Sequence, residues 1–259
     1  MNRIERFQRL HESEELLLLG NAWDLPSARA LEQAGFQAIG TTSWGIAASQ
    51  GYADGELVDF EIQLSAIKRI VDHVNVPVTA DIESGYGQDD ETIVGNVLKV
   101  AAVGAVGINI EDSLKGDAGL KDSVDQGRLL FKLREALIQG GFDRFYINAR
   151  IDTYLQNQDR NQSPLDETLR RAQVYTESGA SGIFVPGLKE SEEIRTVASR
   201  TRAPLNVMAL PGLVDCEELR KLGVRRLSLG GSVYRRTFKL LEQFAKEMAN
   251  TRNVSQLFE

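Results

Sequence analysis

The chain has 259 residues, 42% of them hydrophobic and 26% charged, with a formal net charge of −7. That make-up fits a soluble globular protein with room for one large α/β domain or two small ones. The acidic balance argues against a broad nucleic-acid-binding surface. A single cysteine, Cys216, rules out an intrachain disulfide or a Cys-rich zinc site, and two histidines, His11 and His73, cannot build a poly-histidine metal centre. The start, Met1-Asn2-Arg3-Ile4-Glu5-Arg6-Phe7, reads as a charged helix and not as a signal peptide. Leu16 to Leu19 is too short to cross a bilayer. No nucleic-acid or membrane partner is expected, and the chain reads as cytoplasmic.

Residues 2–11 are expected to form a capping helix within an N-terminal segment 1–15, followed by a first strand over 16–20. A helix starts near Pro26, a residue suited to a first turn, and ends before Gly35. The second strand, 37–41, runs into Thr42-Ser43-Trp44-Gly45, and a loop through Asp54 leads to a periodic helix from Val58 to Val74. Strand three is Val78 to Asp81, with a helix over 89–103; strand four is Gly107 to Ile110, with a helix over 123–139. Strand five is Phe145 to Ala149, with a helix over 164–178; strand six is Gly182 to Val185, with a helix from Lys189. Strand seven is Leu205 to Met208, with a helix from Val214 to Leu222. Strand eight is Arg226 to Leu229, and a long helix over 232–249 opens a C-terminal extension, 232–259.

Strand and helix alternate eight times without a linker-like stretch, which implies a parallel sheet and a single domain over 1–259. Eight units in about 250 residues is the size of a (β/α)8 TIM-type barrel. The competing open doubly wound sheet needs a glycine-rich first turn; Gly20-Asn21-Ala22-Trp23-Asp24 lacks one.

A barrel puts its chemistry at the C-terminal ends of the strands. There the chain places Asp24, Asp81, Glu83, Glu111, Asp112 and Asp152 with one arginine, Arg150; strand seven adds Asn206 as a candidate for the substrate side. Asp81 and Glu83 are two apart, so on an extended strand both point one way. Like charges that close call for a cation, and hard oxygen ligands favour Mg²⁺, with Mn²⁺ as the alternative ion. The plainer reading is a solvated turn after a strand. Arg150 has two readings as well: a structural ion pair, or a fork onto a substrate carboxylate. With Asp81, Glu83 and Glu111 committed to a cation, the second is favoured.

Several segments together resemble the isocitrate lyase/phosphoenolpyruvate mutase superfamily over nearly the whole chain. They are Ala22-Trp23-Asp24 with Ser27-Ala28-Arg29, Ala34-Gly35-Phe36-Gln37-Ala38, and Ala80-Asp81-Ile82-Glu83-Ser84-Gly85-Tyr86-Gly87. Asn109-Ile110-Glu111-Asp112, Asn148-Ala149-Arg150-Ile151-Asp152, Pro204-Leu205-Asn206-Val207-Met208 and Gly223-Val224-Arg225-Arg226-Leu227-Ser228 continue the match in order. The resemblance implies a Mg²⁺-dependent enzyme that acts on small α-oxo or α-hydroxy carboxylates through an enolate. It implies metal contacts, some through water, at Asp81, Glu83 and Glu111, with Asp54 as a further carboxylate. It implies a substrate carboxylate held near Ser43, Trp44 and Gly45 with Arg150 as charged partner, Arg150 and Asp81 being the catalytic pair. It also implies a homo-oligomer, dimer or tetramer, whose last helix packs on a neighbouring barrel.

The sequence departs from the family at the loop after strand four. Carbon–carbon lyases of the superfamily carry Lys-Lys/Arg-Cys-Gly-His there, and the phosphonomutases Lys-x-Asn-Ser; here Ser113 to Ser123 has no Cys and no His, and Lys121-Asp122-Ser123 is a faint echo of the second. The leading expectation is therefore a metal-dependent lyase or decarboxylase of an oxaloacetate-like oxo acid, a reaction that does not need the cysteine. A phosphonomutase or phosphonate hydrolase is the second reading, and a non-catalytic Mg²⁺/oxo-acid-binding homologue the third. Tyr86, Tyr154 and Lys121 are the candidates for a general acid.

Overall fold

The computed structural model describes residues 2–115, 119–157, 163–213 and 215–258. Gly116, Asp117 and Ala118 of the loop after strand four, and Val214, the expected start of the seventh helix, lie outside the described residues. Eight parallel strands close into a barrel in sequence order. They are β1 (Leu17–Ala22), β2 (Ile39–Thr41), β3 (Val78–Asp81), β4 (Gly107–Glu111), β5 (Tyr146–Arg150), β6 (Gly182–Val185), β7 (Leu205–Met208) and β8 (Val224–Ser228). β8 returns to β1, with Leu17 opposite Arg226. This is the TIM-type (β/α)8 fold expected from the alternation.

The helices are α1 (Arg3–Glu12), α2 (Leu25–Gln33), α3 (Ser43–Ser49), α4 (Phe60–His73), α5 (Asp90–Ala102), α6 (Ser123–Gln139), α7 (Leu165–Glu177), α8 (Ser191–Arg200), α9 (Cys216–Lys221) and α10 (Ser232–Thr251). Most begin where a side chain satisfies free amides. Asp24 caps α2, Asp59 caps α4, Asp89 caps α5 and Asp122 caps α6. Asp24, read from the sequence as a mouth carboxylate, is thus a capping residue. The expected loop after strand two contains α3, started by the Thr42 side chain accepting from the Gly45 amide. Seven residues of mostly small side chains give too short a period to register in the sequence.

The core is formed by strand side chains and the inner helix faces, with Ile39, Ile67, Ile70, Ile108, Leu130, Leu133, Ile147 and Val207 among its residues. α1 seals the N-terminal end of the barrel. Its Phe7 and His11 pack on Tyr146, His11 stacking at 4.2 Å and Phe7 edge-on at 5.4 Å, beside Leu17, Leu19 and Val106. The opposite end is left as the mouth. α10 is amphipathic but none of its residues is buried, and Phe238, Leu241 and Phe244 are exposed along it. Among the described residues no helix is long and apolar enough to cross a membrane.

Gly107 shows how tightly the strands are set. A Cβ there would lie 2.5 Å from the Tyr146 carbonyl oxygen, whereas one at Gly95 on α5 meets nothing within 4 Å. Gly107→Ala should therefore cost about 1–3 kcal/mol by overpacking, while Gly95→Ala should add about 0.5–1 kcal/mol by removing chain freedom from a helix interior. Urea midpoints of the two variants moving in opposite directions is the expected result.

Candidate active site

β3 ends at Asp81, so Glu83 is not carried on an extended strand. It has a left-handed backbone, φ 49°, within a tight turn that also gives Tyr86 φ 56° and Gly85 φ 111°. The expectation that the two carboxylates share a strand face is corrected here: the turn, not strand alternation, brings Glu83 back toward Asp81. Gly85 is needed twice over, since its positive φ disfavours a side chain and a Cβ would meet Ile93 at 2.5 Å.

Each carboxylate has its own support. Asp81 Oδ2 accepts from the Ser43 hydroxyl at 2.8 Å and the Ser43 amide at 3.2 Å. Its Oδ1 accepts no hydrogen bond among the described residues. Glu83 Oε2 accepts from the Gly55 and Glu56 amides at 3.0 and 2.6 Å, and Oε1 from the Tyr86 hydroxyl at 2.6 Å. Glu111 pairs with Arg150 at 2.8 Å. On its other edge Arg150 makes a two-point contact with Asp152, Nε to Oδ1 at 2.6 Å and Nη2 to Oδ2 at 3.0 Å. The expectation that Arg150 stands free for an anion is therefore corrected: its fork is engaged by Glu111 and Asp152.

Burial is the largest influence on these groups. It pushes Glu83 up to about 7, opposed by the Tyr86 hydrogen bond and reinforced by Asp54, Asp81 and Glu56. Burial likewise raises Asp54, with Asp81 adding to it and Arg150 opposing. Burial raises Glu111 too, against the pull of Arg150. Arg150 goes above its ordinary value because Glu111 and Asp152 outweigh the burial that lowers it. Asp54, Asp81, Glu83, Glu111 and Arg150 thus share one electrostatic neighbourhood.

Other expected residues have different surroundings. Ser43 orients Asp81. Trp44 packs edge-on against Tyr234 at 5.2 Å, with the Arg235 guanidinium 5.1 Å from its ring, so it joins the α3 start to the α10 start. Gly45 is buried in the first turn of α3, where a Cβ would meet Thr42 at 2.7 Å. Asn206 is buried, and its Oδ1 accepts from the Ser228 hydroxyl at 3.1 Å, in a chain that continues to Arg226; no hydrogen bond joins it to the Asp81–Arg150 group. Tyr154 donates to Glu193 at 2.9 Å.

Two supports were not legible in the sequence. Glu56, at φ 59°, has a nearly buried side chain that accepts from the Ser84 amide and hydroxyl and the Tyr86 amide at 2.7–3.0 Å, and it pairs with Lys115. It fixes the turn that carries Glu83. Behind Asp152, Asp112 accepts from the Asp152 amide at 2.9 Å, Arg171 at 2.9 Å and the Tyr175 hydroxyl at 2.7 Å. Neither Glu56 in its turn nor Arg171 and Tyr175 inside an ordinary helix carries a local signal.

Among the described residues, no three His, Cys, Asp or Glu side chains are arranged to grip a bare metal ion. The donor set does fit a hydrated one. Mg²⁺ keeps several waters and takes one or two carboxylates; Asp81 has a free oxygen, Asp54, Glu83 and Glu111 share its electrostatic neighbourhood, and Arg150 brings a single positive charge to them and to Asp152. A surface cavity of about 600 Å³ lies elsewhere, between α2, α3 and α4 beside Trp23, Ile46, Ile62 and Ala66.

A closed parallel barrel with carboxylates and a buried arginine gathered at its C-terminal mouth is the architecture of a barrel enzyme. The family model for phosphoenolpyruvate phosphomutase matches residues 7–249, and the chain belongs to that family, within the isocitrate lyase/phosphoenolpyruvate mutase superfamily. An uncharacterized protein of Mycobacterium tuberculosis is 33% identical over 228 residues, 88% of this chain and 83% of that one. A 2-methylisocitrate lyase of Halalkalibacterium halodurans is 30% identical over 78% of this chain and 65% of that one. An oxaloacetate decarboxylase of Pseudomonas entomophila is 28% identical over 88% and 78%. A solved protein of Burkholderia cenocepacia, provisionally titled a phosphonomutase, is 35% identical with a TM-score of 0.90, over 95% of this chain and 98% of that one.

Glu83 yields a pH prediction. In the unfolded chain it ionises near 4.5 and in the folded chain at about 7, so between these values the folded state holds the extra proton. Stability of the metal-free protein should therefore fall as pH rises through that window. A cation competes with that proton, so Mg²⁺ should bind more tightly as pH rises toward 8. Melting curves from pH 5 to 8 with EDTA should show a decline of several degrees, and excess Mg²⁺ should remove most of it.

Proposed function

We propose that the protein is a Mg²⁺-dependent lyase or decarboxylase of a small α-oxo carboxylate, oxaloacetate-like, working through an enolate. The observation that carries the reading is the excess of negative charge at Asp81, Glu83 and Glu111, joined by the exposed Asp54, immediately beside Arg150. A hydrated divalent cation neutralises the first set; the arginine fork then has a carboxylate of the substrate to exchange for Glu111. A bound Mg²⁺ supplies charge stabilisation for an enolate oxygen.

The residues divide the remaining work. Ser43 holds one oxygen of Asp81 so that the other faces outward. Tyr86 and the Gly55 and Glu56 amides hold Glu83 ionised once a cation is present. Asp152 keeps the Arg150 guanidinium in one plane, which lets its Nη1 edge move from Glu111 to an incoming carboxylate with little reorganisation. Decarboxylation of a β-carboxylated oxo acid leaves its electron pair as an enolate, so it needs charge stabilisation and not the cysteine that this chain lacks.

Calorimetry should show Mg²⁺ and oxalate, an enolate mimic, binding together to the wild type and at least tenfold more weakly to Asp81→Ala. Unchanged binding in that variant removes the proposal. Pyruvate release from oxaloacetate that stops with EDTA separates a working enzyme from a protein that only binds.

The assembly proposed with this function is a homo-oligomer in which α10 packs on a neighbouring copy, because Leu241 and Phe244 continue, exposed, the apolar face that Phe238 begins against Tyr234 and Trp23. Sedimentation should give a dimer or tetramer, and Phe238→Asp with Phe244→Asp should give monomers.

A further inference from the structure

Three of the mouth's carboxylates stand on two segments that hold each other. Asp54 lies in the loop between α3 and α4, just before Gly55 and Glu56; Asp81 ends β3, and Glu83 opens the turn that follows it. Glu83 Oε2 accepts from the Gly55 and Glu56 amides at 3.0 and 2.6 Å. Glu56 returns the contact. Its Oε1 accepts from the Ser84 amide at 2.9 Å, the Ser84 hydroxyl at 2.7 Å and the Tyr86 amide at 3.0 Å. Each segment thus offers a glutamate that the amides of the other receive.

This clasp is where the chain stores backbone strain. Among the described residues the left-handed non-glycine positions are Glu56, Glu83, Tyr86 and Arg252, and all but the last belong to the clasp. Glutamate and tyrosine have no local device for that conformation, unlike glycine or asparagine. Strained residues persist where their surroundings over-determine them, commonly at ligand clamps. The surroundings here come from two further elements. Asn96 of α5 donates to the Gly85 and Tyr86 carbonyls at 3.1 and 2.9 Å. Lys115, from the loop after β4, pairs with Glu56 Oε2 and donates to the Gly87 carbonyl at 3.3 Å. The Glu56 side chain is only 3% exposed. Among the described residues no hydrogen bond or ion pair joins it to Asp81, Glu111 or Arg150, so it acts on the site through the two segments.

We infer that Glu56 is the positioning residue that makes the mouth discriminate Mg²⁺ from the larger Ca²⁺, an inference that rests on the divalent-cation site proposed above. Mg²⁺ demands near-ideal octahedral geometry with oxygens at about 2.0–2.1 Å, whereas Ca²⁺ accepts oxygens at about 2.3–2.6 Å in flexible arrangements. A reciprocal clasp of strained turns fixes the spacing of Asp54, Asp81 and Glu83. Loosened, the same carboxylates spread, which costs the small ion its geometry and leaves the larger one served.

The test is calorimetry on the full chain with Mg²⁺ alone and with Ca²⁺ alone. Glu56→Gly and Glu56→Asn both suit a left-handed backbone, and neither side chain reaches Ser84 and Tyr86 as glutamate does. Both should bind Mg²⁺ at least tenfold more weakly while Ca²⁺ stays within threefold of wild type. Two variants are used so that a folding failure in one leaves the comparison standing in the other. Glu56→Gln combined with Lys115→Met keeps an acceptor for Ser84 and Tyr86 and strands no charge, so it should return Mg²⁺ affinity to within threefold of wild type. A loosely damaged mouth weakens both cations alike. The inference is overturned if the wild type does not prefer Mg²⁺, if the Gly and Asn variants keep the wild-type ratio of the two affinities, or if the Gln/Met pair does not restore Mg²⁺ binding. A wild type that binds neither cation overturns the metal reading, and the inference with it.

Discussion

The constraint that organises this structure is an excess of buried negative charge at one end of the barrel. Glu56, Asp81, Glu83, Glu111, Asp112 and Asp152 meet there with Asp54 exposed beside them, and an isolated carboxylate taken out of water costs several kcal/mol unless it is paired or protonated. The fold answers each one separately. Asp112 has Arg171 and Tyr175, Asp152 has Arg150 and Ser113, Glu56 has Lys115 and three donors of the next turn, and Glu83 has two amides and a phenol. What remains only partly answered is the set around Asp81, and that residue of uncompensated charge is the feature that a ligand can relieve.

Those supports come from well beyond the strand ends. α7 contributes Arg171 and Tyr175 from outside the barrel to a carboxylate on the strand-four end, and that carboxylate holds the amide of Asp152 on the strand-five end. Arg171 also accepts the role of anchor for the loop after β4 through the Lys121 carbonyl. One guanidinium therefore ties the setting of Arg150 to the setting of the loop. A buried pair of this kind contributes little net stability against an apolar alternative, yet losing one partner strands the other charge. Its value lies in holding two neighbouring strand ends and one loop in a single arrangement.

How much was legible in the sequence follows from the range of each signal. The eight alternations show the barrel because strand and helix periods are local and repeat. Asp81, Glu83, Glu111 and Arg150 are legible because each lies within two residues of a strand end that those periods define. Local geometry misleads beyond its reach. Glu83 reaches the site through a left-handed turn instead of along a strand, and α3 was read as loop because its start is a single threonine cap. Glu56, Arg171 and Tyr175 are silent for another reason: their roles depend on contacts 27 to 63 positions away in the chain. Arg150 was read as free from a charge argument that omitted Asp152, two residues away.

The loop after β4 illustrates the limit best. As a string it looks stripped, lacking the Cys and His of the lyases and the Asn of the phosphonomutases. Its described ends pair, Ser113 with Leu120, and the Asp112 carbonyl and Arg171 hold the Lys121 backbone at its base. A short loop fixed at the base places one side chain with less entropy loss than a long lid that must order on each turnover. The cost is range, since a loop fixed at its base serves only substrates that fit beneath it. A small oxo acid, anchored at one end by its carboxylate, meets that condition in a way that a larger, flexible substrate does not. The shortness of the loop is thus a statement about substrate size as much as about missing chemistry.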